Sequence, residues 1–310
     1  MSVDAGTRPS DETGVTLAYD EGIRTLYRYM PFPPLNDPAG DAAARRQRVE
    51  DLLVHGDLYL PLASQFNDPF EASPLFRIPR RADGSIDSDV YIYHLRNRYG
   101  PQWRWSTDRI AQAETDLLQK IASGVFEAET SLNESTWMAR LRNEFPMCCL
   151  SSDQRNIPMW AYYAGSHTGV CIHLDATIAP FGAAFKVFYQ DDYPFLPQPV
   201  AGLKPRAVIK QCLLVKGKAW EHEKEYRLID MPNFDGGPRT LDPPISVQRT
   251  TQTIRFRRRH IVGLTCGARM DSLAIEGLAR LCADRNPPIP IWQVKMARHK
   301  FEFVLEEVRG

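Results

Sequence analysis

The sequence has no Cys-x-x-Cys pair and no histidine cluster at zinc-binding spacing, so nothing in it reads as a metal site. It has no excess of charge of either sign: Lys plus Arg and Asp plus Glu number 38 each in 310 residues. Bulk electrostatics therefore do not make it a general nucleic-acid binder, and only local basic patches are left for that role. No apolar run reaches membrane-spanning length, which predicts no membrane partner. Met1 to Thr16 is polar and acidic and lacks the apolar core of a secretory signal. The six cysteines show no disulfide pattern; Cys149, Cys171 and Cys266 stand in apolar, strand-like runs and read as reduced, buried thiols. These absences together predict a cytoplasmic protein.

What is present is an ordinary globular composition, 43% hydrophobic and 25% charged, in a chain long enough for one large domain or two modest ones. Residues 1–22 carry almost no apolar periodicity and read as disordered or loosely attached. Residues 23–310 read as a single α+β domain. Thr25 to Met30 is a strand stopped by Pro31. Asp41 to Val54 is a helix capped by Gly56, and Asp57 to Leu62 a short strand. From Ser88 to Glu144 the pattern is helical (Val90 to Tyr99, Asp108 to Ala128, Glu134 to Phe145), an insert at 88–144 whose Trp103, Trp105 and Trp137 read as packing residues.

The second half changes to strands: Met147 to Ser151, Thr168 to Asp175, Phe185 to Tyr189. Between the first two lies a helix, Ile157 to Ala164, with Pro158 in its first turn. Val208 to Lys216 reads as a helix, Ile254 to Arg259 and Ile261 to Thr265 as strands, and Asp271 to Ala283 as a helix. Ile291 to Met296 and Lys300 to Glu307 close the chain as strands. Strands outnumber crossover helices, which predicts α+β with mixed or antiparallel sheets rather than a doubly wound sheet.

The stretch with the most chemistry is Trp220 to Ile229. On a strand, Glu223, Glu225 and Arg227 share one face while Tyr226 and Leu228 face the core. Two close carboxylates raise each other's pKa and an arginine lowers both. The stretch is either a reactive pair or a solvated face whose charges cancel. On the first strand Arg28 is flanked by Tyr27 and Tyr29, an arrangement that holds an anion or lets the arginine snorkel to solvent. Phe66-Asn-Asp-Pro-Phe-Glu71 is a turn, either structural or lining a pocket with Asn67, Asp68 or Glu71. In Arg255-Phe-Arg-Arg-Arg-His260, strand alternation puts Arg255, Arg257 and Arg259 on one face. That face is a charged edge strand or a site for nucleic acid, a phosphorylated target or NAD phosphates. His167 and His173 read as structural.

Four stretches in order, Leu26-Tyr-Arg-Tyr29, Phe66-Asn-Asp-Pro-Phe-Glu71, Cys149-Leu-Ser151 with Met159-Trp-Ala-Tyr-Tyr-Ala164, and Trp220-x-x-Glu223-x-Glu225-Tyr-Arg227, resemble a widespread bacterial family known mainly as a domain of unknown function. More distantly, the element order resembles the ADP-ribosyltransferase fold, with its split sheets. That fold has an early strand with Arg or His and a middle strand with Ser or Tyr ahead of an aromatic-bearing helix. Its late strand carries Glu, often as Glu-x-Glu.

The resemblance implies Glu225 as catalytic glutamate with Glu223 two before it, and Arg28 as clamp on the pyrophosphate or ribose of NAD. Ser151 takes the middle position, although only Ser151-Ser152 stands where the better-known members have Ser-Thr-Ser. Tyr162 or Tyr163 stacks on nicotinamide; Tyr27 and Asn67 complete the cofactor-binding set. It further implies transfer of ADP-ribose to a nucleic-acid or protein acceptor, in a toxin or phage-defence setting with an antitoxin or regulatory partner, and no metal. An NAD glycohydrolase at the same site, and a non-catalytic module that binds a partner or nucleic acid, are the alternatives.

Overall fold

The computed structural model describes residues 16–34, 37–99, 104–191, 195–197, 212–231, 240–242, 248–250 and 252–308. The start of the chain to residue 15, Trp103 and the first part of the helix read over Val208 to Lys216 lie outside the described residues. The chain divides into two compact units. One holds Met1–Pro61, Pro146–Phe188 and Lys218–Gly310; the other holds Leu62–Phe145 and Tyr189–Gly217.

The first unit is built largely on strands. These are β1 (Thr25–Met30), β2 (Asp57–Tyr59), β3 (Met147–Ser151), β4 (Val170–Asp175), β5 (Phe185–Lys186), β6 (Glu225–Met231), β7 (Thr240–Asp242), β8 (Gln248–Thr250), β9 (Thr253–Arg255), β10 (Ile261–Cys266), β11 (Ile291–Met296) and β12 (Phe303–Glu307). Nine of them form one mixed sheet in the order β7-β6-β3-β1-β4-β10-β11-β12, with β5 also on β6; β8, β9 and β2 form a small second sheet. Every registered pair in the large sheet is antiparallel except β10 with β11. The expectation of an α+β protein with mixed and antiparallel sheets holds at this level.

Strand β4 is the centre. Val170, Cys171, Ile172 and Leu174 are wholly buried and His173 nearly so, with β1 on one side and β10 on the other. Leu26, Cys148, Leu150, Ile172, Tyr226 and Leu228 belong to the larger apolar layer, into which helix α1 (Ala42–His55) sets Val49, Leu52 and Leu53. Burying side chains of that size stabilises by about 1.5–3 kcal/mol each. The helix stops where expected: Gly56 takes φ 76° and its N–H reaches the Leu52 carbonyl at 3.0 Å. A Cβ there would stand 2.3 Å from the Phe256 carbonyl oxygen, so the close approach as well as the left-handed turn requires glycine. The smaller layer, on the other face, gathers Tyr29, Met159, Trp160, Ala164, Cys171 and Val294. Met159 and Trp160 come from helix α2 (Ile157–Tyr162), which starts at Asn156, whose side chain accepts from the Met159 N–H, with Pro158 in its first turn. Helix α3 (Ser272–Ala283) is capped by Asp271 and buries Leu278 and Cys282.

The chain joins this unit before β1. Leu17 bridges to Phe185, Ala18 is fully buried and donates to the Ala184 carbonyl, and Glu21 accepts from Lys186 and from the Tyr226 hydroxyl.

The second unit contains the 88–144 stretch as three helices, Ser88–His94, Thr107–Ala122 and Val125–Asn143, with Leu95–Tyr99 continuing the first as a π-helical turn. The break falls at Ser123 and Gly124, not between Ala128 and Glu134: Gly124 takes φ 75°, which no other residue type adopts as readily, and reverses the chain. Glu71 and Lys216 form an ion pair at 3.3 Å within this unit, both buried. Among the described residues no helix is long and apolar enough to cross a membrane, and no group of three or more His, Cys, Asp or Glu side chains is placed to hold a metal ion.

Candidate active site

The Trp220 to Ile229 stretch is only partly a strand. Lys218–Glu223 is a 3-10 helix and β6 begins at Glu225. Glu223 therefore does not share a strand face with Glu225, which corrects the alternation expected from the sequence. The break is Lys224, held at φ 48°, a left-handed conformation that costs a non-glycine residue roughly 1–3 kcal/mol. From Glu225 onward the alternation is as expected: Tyr226 and Leu228 enter the larger core, and Glu225 and Arg227 take the other face.

Register then assembles the site. Ser151 lies opposite Glu225 across β3 and β6, and opposite Tyr27 across β3 and β1. Directly opposed residues share a face, so Tyr27, Ser151 and Glu225 form one row across three neighbouring strands. Glu225 is chelated by Arg227, Oε1 to Nε at 2.7 Å and Oε2 to Nη2 at 3.0 Å, with the two side chains 3% and 1% exposed. Glu223 comes to the same place from its turn. Its carbonyl accepts from the Ser151 hydroxyl at 2.7 Å and its carboxylate from the Tyr163 hydroxyl at 2.6 Å. Ser151 Oγ also accepts from the Asp153 N–H, Tyr29 donates to the Asp153 carbonyl, and the Asn156 amide donates to the His222 carbonyl. Residues 151–156 are thus tied to both the sheet and the 3-10 turn.

Burial sets the electrostatics. The Cys149 thiol, opposite Arg227, is pushed well up, by desolvation first and by Glu225 next. Burial also raises the Tyr27 and Tyr29 phenols. The site therefore offers carboxylates, a guanidinium and neutral hydroxyls, and no thiolate.

Of the residues singled out from sequence, Tyr27, Ser151, Glu223, Glu225 and Tyr163 meet here. Arg28 does not: it takes the Leu26 face of β1, away from the row, and its Nη1 donates to the Cys149 carbonyl at 2.7 Å. The cause is strand parity, since neighbours along a strand face opposite ways. Tyr162 is 62% exposed and lies edge-to-face with Trp220 at 6.3 Å. Asn67 is exposed and belongs to the second unit. One contributor went unread: Asn156, whose signal was an N-cap residue ahead of Pro158; Arg227 was read on the Glu225 face, and there it chelates the carboxylate.

Arg255 to His260 is not one strand. Only Arg255 lies on β9, in a bidentate pair with Asp57, both contacts 2.6 Å; Arg258–His260 is a 3-10 turn. Arg257, Arg258 and Arg259 are exposed.

His173 is structural, as read. It bonds Thr265 Oγ1 at 2.8 Å, stacks on Trp292 at 5.1 Å and meets the Tyr27 ring edge-on. Burial lowers its pKa to about 4 from 6.5. The folded state thus binds its proton later than the unfolded state. The His173 contribution is complete above pH 6.5 and is lost as the pH falls towards 4, by roughly 3 kcal/mol in all. Unfolding free energy measured against pH will fall across this window in the native protein and more gently in His173→Gln; equal slopes would contradict the assignment.

Compared with protein-family models, with curated proteins and with solved structures, the chain matches none.

Proposed function

We propose that this chain is an ADP-ribosyltransferase-like enzyme that uses NAD as substrate. The observation that carries this reading is the row Tyr27, Ser151, Glu225. The early, middle and late strands of the resemblance are consecutive in the sheet, with the hydroxyl strand between the other two. The aromatic-bearing helix α2 follows the middle strand directly, and its neighbour Tyr163 reaches Glu223. The motifs shared with the bacterial family of unknown function converge here as well, apart from Phe66 to Glu71.

In this reading the bond from nicotinamide to ribose C1′ breaks and its electron pair leaves with nicotinamide. The carboxylate of Glu225, oriented by the Arg227 fork, faces the positive charge that develops on the ribose and binds the transition state more tightly than the ground state. The acceptor adds to C1′, and its proton passes to Glu223. Arg28 has no part in this step. The acceptor is a nucleic acid or protein, in a cytoplasmic toxin or phage-defence setting with an antitoxin or regulatory partner.

A second reading, a non-catalytic module, is favoured by one observation: Glu223, Glu225 and Arg227 are each at most 3% exposed. Incubation of the full chain with NAD labelled in its ADP-ribose part, with and without lysate, DNA or RNA, separates the cases. Label on a polymer is the expected result. Free ADP-ribose alone would make the protein a glycohydrolase, and unchanged NAD under every condition would favour the binding module.

A further inference from the structure

A cavity of about 220 Å³ lies on the far side of β1 from the carboxylate row. It is a half-open hollow lined by the end of β1, one flank of α1, β2 and Thr253 of β9. Its polar lining is Arg28, Arg45, Arg48, Asp51, Asp57 and Tyr59. The arginines differ in what already holds them. Arg45 is chelated by Asp41, at 2.7 Å and 2.6 Å. Arg28 spends one nitrogen on the Cys149 carbonyl, while its Nε is buried with no hydrogen-bond partner. Arg48 makes no ion pair among the described residues and lies over the Tyr59 ring, 4.9 Å from its centroid.

The acids are largely taken. Asp57 is held bidentately by Arg255, and Asp51 accepts from Gln47. That leaves two guanidinium groups, from Arg28 and Arg48, with donors uncommitted on the cavity wall.

We propose that this cavity is a phosphate-binding site, separate from the carboxylate row, that takes the phosphate or diphosphate group of a nucleotide or of a nucleic-acid terminus. Two guanidinium forks match the paired oxygens of a phosphate bidentately, and two together suit a multiply charged anion. Arg28 lines the cavity and commits only Nη1 to a protein acceptor, so an anion seated there can accept from the guanidinium donors that remain. The Tyr59 ring beneath Arg48 restrains the guanidinium, so less freedom is lost on binding. Size narrows the ligand: the cavity is smaller than the ~300–1,000 Å³ of sites that enclose a whole drug-sized molecule. It therefore fits the anionic group, with the remainder of the ligand left outside.

The test is calorimetric titration of the full chain with inorganic pyrophosphate, with ADP and with a short 5′-phosphorylated single-stranded oligonucleotide. Saturable binding of pyrophosphate is expected, weakened at least about tenfold in Arg48→Gln and in Arg28→Lys. Arg280→Gln, on the exposed side of α3, serves as control and should bind as the native protein does. Tighter binding of ADP than of the oligonucleotide assigns the site to nucleotides, and the reverse order to a nucleic-acid end. Absence of saturable pyrophosphate binding, or native affinity in Arg48→Gln, overturns the proposal. Arg48 is an exposed helix residue, so that variant keeps the fold and the result readable even where Arg28→Lys unfolds.

Discussion

Arg227→Leu lowers the unfolding free energy by about 3–5 kcal/mol, the loss typical of stripping one partner from a buried ion pair. Arg227 is 1% exposed and gives two hydrogen bonds to Glu225, which is 3% exposed. Leucine fills part of the space but leaves a carboxylate in the sheet interior without the cation that chelates it. Desolvating a carboxylate is far more costly than losing the pair's mutual attraction alone. Replacing both residues, as in Glu225→Leu with Arg227→Leu, should therefore recover much of the loss, because neither charge is then buried. Denaturant unfolding of the two single variants and the double variant gives the coupling directly. A loss below about 1 kcal/mol for Arg227→Leu would show that the chelate contributes little to the fold, and with it that Glu225 is held in place by something else.

Much of the scaffold could be read from local pattern. The strand at Thr25–Met30, the helix ending at Gly56, the helix with Pro158 in its first turn and the strand at Val170–Asp175 carry their signals in a few residues: proline stops, a left-handed glycine, an N-cap and an unbroken apolar run. The site was legible as a set of residue types, because Glu225 and Ser151 sit on the strands read for them.

What failed was conformation set by single residues. Nothing in Lys224 signals a left-handed backbone, yet that one φ moves Glu223 off the strand. Arg28 was named for its chemistry, while its face follows from strand parity once Tyr27 is registered with Ser151. Gly124 was the available signal for the helix break, and the apolar periodicity running past it concealed the turn. In the arginine stretch, the salt bridge of Arg255 to Asp57 depends on a pairing 198 residues apart, which no local pattern contains.

The enzymatic reading depends on Glu225 more than on any other side chain. Glu225→Gln keeps the volume and one acceptor oxygen for Arg227 while removing the negative charge; the second contact is lost, because the amide NH2 donates where a carboxylate oxygen accepted. If that charge stabilises the developing cation on ribose, NAD consumption falls by about 10²–10³-fold, the scale seen when one preorganised electrostatic contact is removed. Glu223 stays in place under Tyr163 in this variant and does not substitute, because its carboxylate belongs to the turn and not to the row. The decisive measurement is the rate of NAD loss by native protein and Glu225→Gln side by side, with thermal unfolding of both recorded in the same buffer. The account predicts consumption by the native chain, its near-complete loss in the variant, and an unfolding transition in the variant that is lowered, because Arg227 loses its counter-charge, but still cooperative. Equal NAD consumption by a folded Glu225→Gln would contradict it.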